Sequence, residues 1–117
     1  MTGSGKINYI ELPAADLEAV KTFYGNALGW KFKDFGPEYI AFNDGEFDGG
    51  FFKSALSSSA ASGAALVVLY ANDLEKLRET LVLHGAKICR EIFSFPGGRR
   101  FHFLDPNNNE LAVWSDS

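Results

Sequence analysis

The chain has one cysteine, Cys89, so no disulfide can form within it and a reducing compartment is expected. No apolar run approaches the ~20 residues that cross a bilayer. The opening MTGSGK also lacks the apolar stretch of a secretory signal, so a cytoplasmic location with no membrane partner is expected. Positive charge is scarce: eleven Lys and Arg against fifteen Asp and Glu leave a net charge of −4, which gives phosphate backbones no general attraction. Nucleic acid is therefore not an expected partner.

What is present fits one domain covering 1–117, with 46% hydrophobic and 22% charged residues in ordinary globular proportion. The unusual component is aromatic. Eleven Phe, four Tyr and two Trp are more than a small core needs to close, and some of them are expected to line a cavity.

Residues 6–13 alternate, with Ile7, Tyr9 and Glu11 on one face and Ile10 and Leu12 on the other, which predicts a strand ended by Pro13. From Asp16 the spacing becomes helical, with Leu17, Val20, Tyr24 and Leu28 on one stripe, Asp16 as N-cap and Gly29 as C-cap. Three short β-like runs follow at 30–35, 38–43 and 48–53, separated by Gly-Pro and Asn-Asp-Gly turns. Residues 54–63 are small and without period, and read as a flexible connector. The order then repeats: a strand at 64–71, a helix at 73–83 closed by His84-Gly85, and strands at 87–95, 100–104 and 109–115. The triplet Asp-Leu-Glu opens both helices, 57 residues apart, and points to an internal duplication.

A four-stranded module buries too little apolar surface to be secure alone. The expected fold is therefore α+β, with module one at 6–53 and module two at 64–115. The two βαβββ modules pair into a curved eight-stranded cup with the helices outside, and function sits on its inner face.

The opening unit INYIELPAADLEAVKTFYGNALGWKF and the closing unit GGRRFHFLDPNNNELAVWSDS resemble the vicinal oxygen chelate superfamily, the glyoxalase, bleomycin-resistance and extradiol dioxygenase group. The resemblance covers nearly the whole chain and is nearest to the lactoylglutathione-lyase-related branch. It implies duplicated βαβββ modules and, because many relatives associate through these sheets, a homodimer. It also implies that enzymes of the group hold a divalent metal with His, Gln or Glu from four strand positions. Counted from Asp16, Asp73 and Asp105, three of those positions hold Tyr9, Leu66 and Ala112; counted from Asp44, the fourth holds Phe51, or Gly50 if the register slips by one. None is a good ligand for a divalent cation, so no metal or other cofactor is expected. Glyoxalase I or extradiol dioxygenase activity is not expected either.

Strand parity assigns the rest. Phe101 and Phe103 belong in the core, which turns Arg100 and His102 into the cup. A fosfomycin-resistance branch of the resembled group uses matching positions for ligand contact, which implies the same facing here. Tyr9, Glu11, Phe51, Leu66, Val68, Tyr70, Ala112 and Trp114 are expected to join them. Two readings stand for the ionisable trio. Glu11, Arg100 and His102 act on a ligand, or Glu11 and Arg100 merely satisfy each other while His102 binds a carbonyl. His84 reads as a helix-end cap, Asn107-Asn108-Asn109 as a turn, Gly49-Gly50 as no phosphate loop, and Cys89 as a buried thiol rather than a nucleophile.

The leading expectation is a metal-independent protein that binds a small aromatic or hydrophobic molecule in the cup. One alternative is a lyase or isomerase with Glu11 as general base and Arg100 or His102 steadying an oxyanion. The other is a dimeric interaction module without catalysis. The identity of the ligand, and whether modules pair within a chain or between chains, lie beyond the sequence.

Overall fold

The structure, a computed structural model, describes residues 3–117. Two modules follow one another with the same order of elements. The first contains β1 (Tyr9–Ala14), α1 (Leu17–Leu28), β2 (Lys31–Asp34), β3 (Tyr39–Asn43) and β4 (Asp48–Lys53). The second contains β5 (Val67–Tyr70), α2 (Leu74–Leu83), β6 (Lys87–Phe95), β7 (Gly98–Leu104) and β8 (Glu110–Ser115).

Each helix starts where an aspartate can cap it. The Asp16 side chain accepts from the Ala19 N–H at 3.0 Å, and Asp73 accepts from the Lys76 N–H at 3.1 Å. Gly29 ends α1 in the left-handed region at φ 73°, which a side chain would resist. α2 ends on the backbone N–H of His84, bonded to the Thr80 and Leu81 carbonyls, so main chain rather than imidazole supplies this cap.

The eight strands form two four-stranded mixed sheets, ordered β1-β4-β3-β2 and β5-β8-β7-β6. In each, the last strand lies parallel to the first and antiparallel to the third. One face of each sheet meets the helices in a shared core: Leu12, Phe42 and Phe51 from the first, Phe101, Phe103 and Leu111 from the second. Tyr24 stacks on Trp30, and Trp30 on Phe42, both at 4.5 Å between ring centroids. Phe23 of α1 reaches Phe103 of the second sheet at 6.3 Å, so the modules share their aromatic packing. Each ring buried this way is worth about 1.5–3 kcal/mol of transfer free energy, which neither half could collect alone.

Several boundaries differ from expectation. β1 begins at Tyr9, leaving Ile7 exposed, and β5 covers Val67–Tyr70, so Leu66 precedes the ladder. Phe51 is fully buried against Tyr24 and Phe42, facing the core rather than the cup. Its neighbour Gly50 takes the cup-facing place, across from Glu11 and Ala41. Cys89 is exposed, not buried.

The connector, which reads as flexible, is fastened to the second module. Ser57 Oγ donates to the Asn107 carbonyl at 2.7 Å, the Ser58 N–H to Asn109 Oδ1 at 2.9 Å, and the Ala60 N–H to Glu110 Oε1 at 3.0 Å. A 3-10 helix at Ala60–Ser62 completes it. No helix among the described residues is long and apolar enough to cross a membrane.

Candidate functional site

Because both helix-packed faces point into one core, the opposite faces of the two sheets point away from it. They carry the residues expected in the cup, some on each sheet. Tyr9 and Glu11 stand on the first sheet with Tyr39; Val68, Tyr70, Arg100, His102, Ala112 and Trp114 stand on the second. Among the described residues, no hydrogen bond or ion pair joins Glu11 to Arg100 or His102.

On the first sheet, Tyr39 Oη donates to Glu11 Oε2 at 2.9 Å and lies 2.6 Å from Tyr9 Oη. Desolvation first, then hydrogen bonds to Tyr9 and Glu11, push the Tyr39 phenol far above its ordinary range. The sequence explains why Tyr39 can lie there: a β-carbon at Gly50 would overlap its ring and hydroxyl. Gly49 has the corresponding role on the core side, where Phe42 crosses it. The Gly-Gly pair therefore admits two aromatic rings, one to each face.

The second sheet carries a longer chain of bonds. Arg100 Nε and Nη2 lie 3.2 and 2.9 Å from His102 Nε2, and His102 Nδ1 lies 2.7 Å from Glu110 Oε2. A guanidinium only donates, so Nε2 must offer its lone pair and the ring proton resides on Nδ1, donated to Glu110. Both imidazole nitrogens are thereby engaged. His102 is buried, and Glu110 is tied by its other oxygen to the connector. The bond from His102, then that from Ala60, hold the Glu110 carboxyl below its usual range against the opposing effect of burial. Desolvation by its neighbours, then the Glu110 charge, push the Cys89 thiol up, the opposite of an activated nucleophile.

Aromatic rings frame this chain. Phe93 lies across from Arg100 in the ladder and beneath the Arg90 guanidinium at 3.7 Å, while Trp114 sits 5.2 Å from Tyr70 and 6.2 Å from Phe95. The face is open, with Val68 43% and Tyr70 49% exposed; on the first sheet Tyr9 is 41% exposed. A cleft of about 550 Å³ lies elsewhere, between the start of α1 and Gly36-Pro37, and none of the expected site residues lines it.

The chain matches the family model of the glyoxalase/bleomycin resistance protein/dioxygenase superfamily over residues 6–113. It belongs to that superfamily. Among solved structures it is similar to a glyoxalase-related enzyme from Fulvimarina pelagi, at 21% identity over 95% of this chain and 88% of that one, with a TM-score of 0.78. It is also similar to a lactoylglutathione lyase from Agrobacterium tumefaciens, at 18% identity over 97% and 96%, TM-score 0.73. A third is a fosfomycin resistance protein from Listeria monocytogenes, solved with manganese(II) and dihydroxypropylphosphonic acid, at 15% identity over 94% and 89%, TM-score 0.78. No curated protein matches the chain.

The four positions that the resemblance singles out for a metal hold side chains that are poor ligands for a divalent cation. Those positions carry Tyr9, Gly50, Leu66 and Ala112, and among the described residues no three His, Cys, Asp or Glu side chains cluster as ligands would. Three members of the local chemistry escaped the sequence reading. Glu110 shares the parity of Ala112 and Trp114, and that alternation was the signal available for it. Phe93 and Tyr39 had only the alternation of β6 and β3, which two register shifts blur in β6.

Proposed function

We propose that this superfamily member binds a small aromatic or hydrophobic molecule without a metal, on the face formed by β5, β8, β7 and the Phe93–Phe95 end of β6. The observation that carries the reading is an aromatic wall of Phe93, Phe95, Trp114 and Tyr70 on the sheet where the metal positions hold Leu66 and Ala112, with Gly50 and Tyr9 at the other two positions on the first sheet. Such walls supply most of the free energy of binding flat apolar ligands. Isothermal titration against Mn²⁺, Ni²⁺, Zn²⁺ and Fe²⁺ tests the metal-free part. The expected result is no stoichiometric binding; sub-micromolar binding of one ion per chain that His102→Ala or Glu110→Gln abolishes would overturn it.

A second copy of the chain roofs this face. Support comes from the exposed Tyr9 and Phe52 of the first sheet, which leave the second module's Val68 and Tyr70 a matching apolar surface. Glu11 and Asp48 on one face and the exposed Arg90 on the other match acid to base when two copies meet head to tail. Light scattering is expected to give twice the 12.8 kDa chain mass. A particle of one chain mass at high concentration would remove the homodimer.

A further inference from the structure

We infer that the ligand carries a carboxylate, an arenecarboxylate or close relative, and that Arg100 is the residue that grips it; this rests on the aromatic-binding reading above. The geometry of the guanidinium points that way. Arg100 is half-buried, and two of its five N–H groups are spent on His102 Nε2. Its partner is a neutral acceptor, so those bonds orient the fork without cancelling its charge. Among the described residues no carboxylate lies within ion-pair distance of it, whereas Arg78 pairs with Glu91 and Arg99 with Glu75. The acid Glu110 is turned toward His102 Nδ1 and the Ala60 N–H.

A partly buried cation with directed donors and no carboxylate in direct contact is stabilised by an anion that arrives to meet it. The planar fork suits a carboxylate better than a point charge would. Its surroundings say what the rest of the ligand is. The guanidinium stands 5.8 Å from the Phe93 ring and 5.9 Å from the Phe95 ring, and Trp114 lies directly across the ladder. A flat apolar body resting on Phe95 and Trp114 places its acidic end at Arg100. Arg90, stacked on Phe93 with no carboxylate partner among the described residues, adds a second positive charge on the same face. His102 and Glu110 are positioning residues here: they aim the fork and hold its side chain against the sheet.

The test compares naphthalene-2-carboxylate with its uncharged counterpart naphthalene-2-carboxamide by isothermal titration, using the full chain. The wild-type protein is expected to bind the acid at least about tenfold more tightly than the amide, as charge-assisted paired hydrogen bonds would give. Arg100→Met is expected to erase that preference by weakening the acid alone, its unchanged amide affinity showing that the face is intact. Arg99→Gln, which removes a guanidinium already paired elsewhere, is expected to leave both affinities as they are. If acid and amide bind equally to the wild type, or Arg100→Met keeps the preference, the carboxylate inference falls while the aromatic-binding reading stands. If neither probe binds at millimolar concentration, both fall.

Discussion

Tyr39 and Arg100 hold the same place in the two modules. Each lies across from an aromatic of the last strand, Phe52 in one and Trp114 in the other, and two residues further on Ala41 corresponds to His102. Gly50 and Ala112 correspond in the same way, as do Asp48 and Glu110. The backbone ladders are alike, yet the chemistry is not. In the first module a phenol donates to an exposed carboxylate; in the second a guanidinium, an imidazole and a carboxylate run in series and end on the connector's main chain. The turns differ as well. Among the described residues, the side-chain bonds of the β3–β4 turn stay within it, through Asn43 and Asp44. The β7–β8 turn reaches across to the first module through Asn107 and Asn109. A repeated scaffold thus sets where side chains stand, while single substitutions give the second repeat both the longer bonded chain and the turn that joins the halves.

The sharpest way to break this contrast is to remove the joining side chain. Asn109 is fully buried; it accepts from the Ser58 N–H and donates to the Pro13 carbonyl at 2.8 Å and to Asp105 at 3.1 Å. Asn109→Ala removes all three bonds and leaves the Ser58 N–H without its acceptor, although Pro13 keeps Asn107 and Asp105 keeps Tyr24, and it is expected to cost about 2–3 kcal/mol in urea unfolding. Asn43→Ala in the self-contained turn is expected to cost under about 1 kcal/mol. Equal losses would mean that the two turns do not differ in role.

Next come the glycines. A methyl at Gly49 meets the Ile10 carbonyl at 2.7 Å as well as the Phe42 ring, and main chain cannot swing aside, so Gly49→Ala is expected to cost about 2 kcal/mol. At Gly50 the obstacle is only the end of Tyr39. Gly50→Ala is expected to cost about 1 kcal/mol and to expel that ring, seen as loss of Tyr39–Glu11 proximity by NMR. The reverse change at the matching place, Ala112→Gly, is expected to cost about 0.5–1 kcal/mol from backbone entropy with no ring displaced. A Tyr39 that keeps its place in Gly50→Ala would contradict the packing described.

The smallest effect is electrostatic. The folded carboxyl of Glu110 is held below its ordinary value of 4.5, so it stabilises the fold above that pH, and the contribution vanishes as pH falls through the lowered folded value. Subtracting the stability of Glu110→Gln from that of the wild type across pH 2–7 isolates this group from Asp105, whose carboxyl burial pushes the other way. A difference that stays constant below about pH 4.5 would show that the bond to His102 contributes nothing.

Local rules made most of the fold readable. Asp16 and Asp73 cap where capping chemistry predicts, Gly29 stops its helix, and the parity of Phe101 and Phe103 turns Arg100 and His102 to the side of the sheet opposite the core. The errors fall where local rules have nothing to grip. Two consecutive glycines carry no side chain to alternate, so Phe51 was assigned to the wrong side. The bonds of Asn107 and Asn109 to Pro13 span more than ninety residues, and no turn statistic contains them. Parity says which side of a sheet a residue takes, not how the faces of two sheets stand to one another.

The fastening of residues 56–60 to the β7–β8 turn has a practical consequence. A nick near Ala55 leaves this strap with the second half, and the first half remains clasped through Pro13 and Ala15 to Asn107 and Asn109. Two pieces cut there are expected to stay associated, with the break falling outside the clasp, and co-elution of the nicked halves in size-exclusion chromatography checks it.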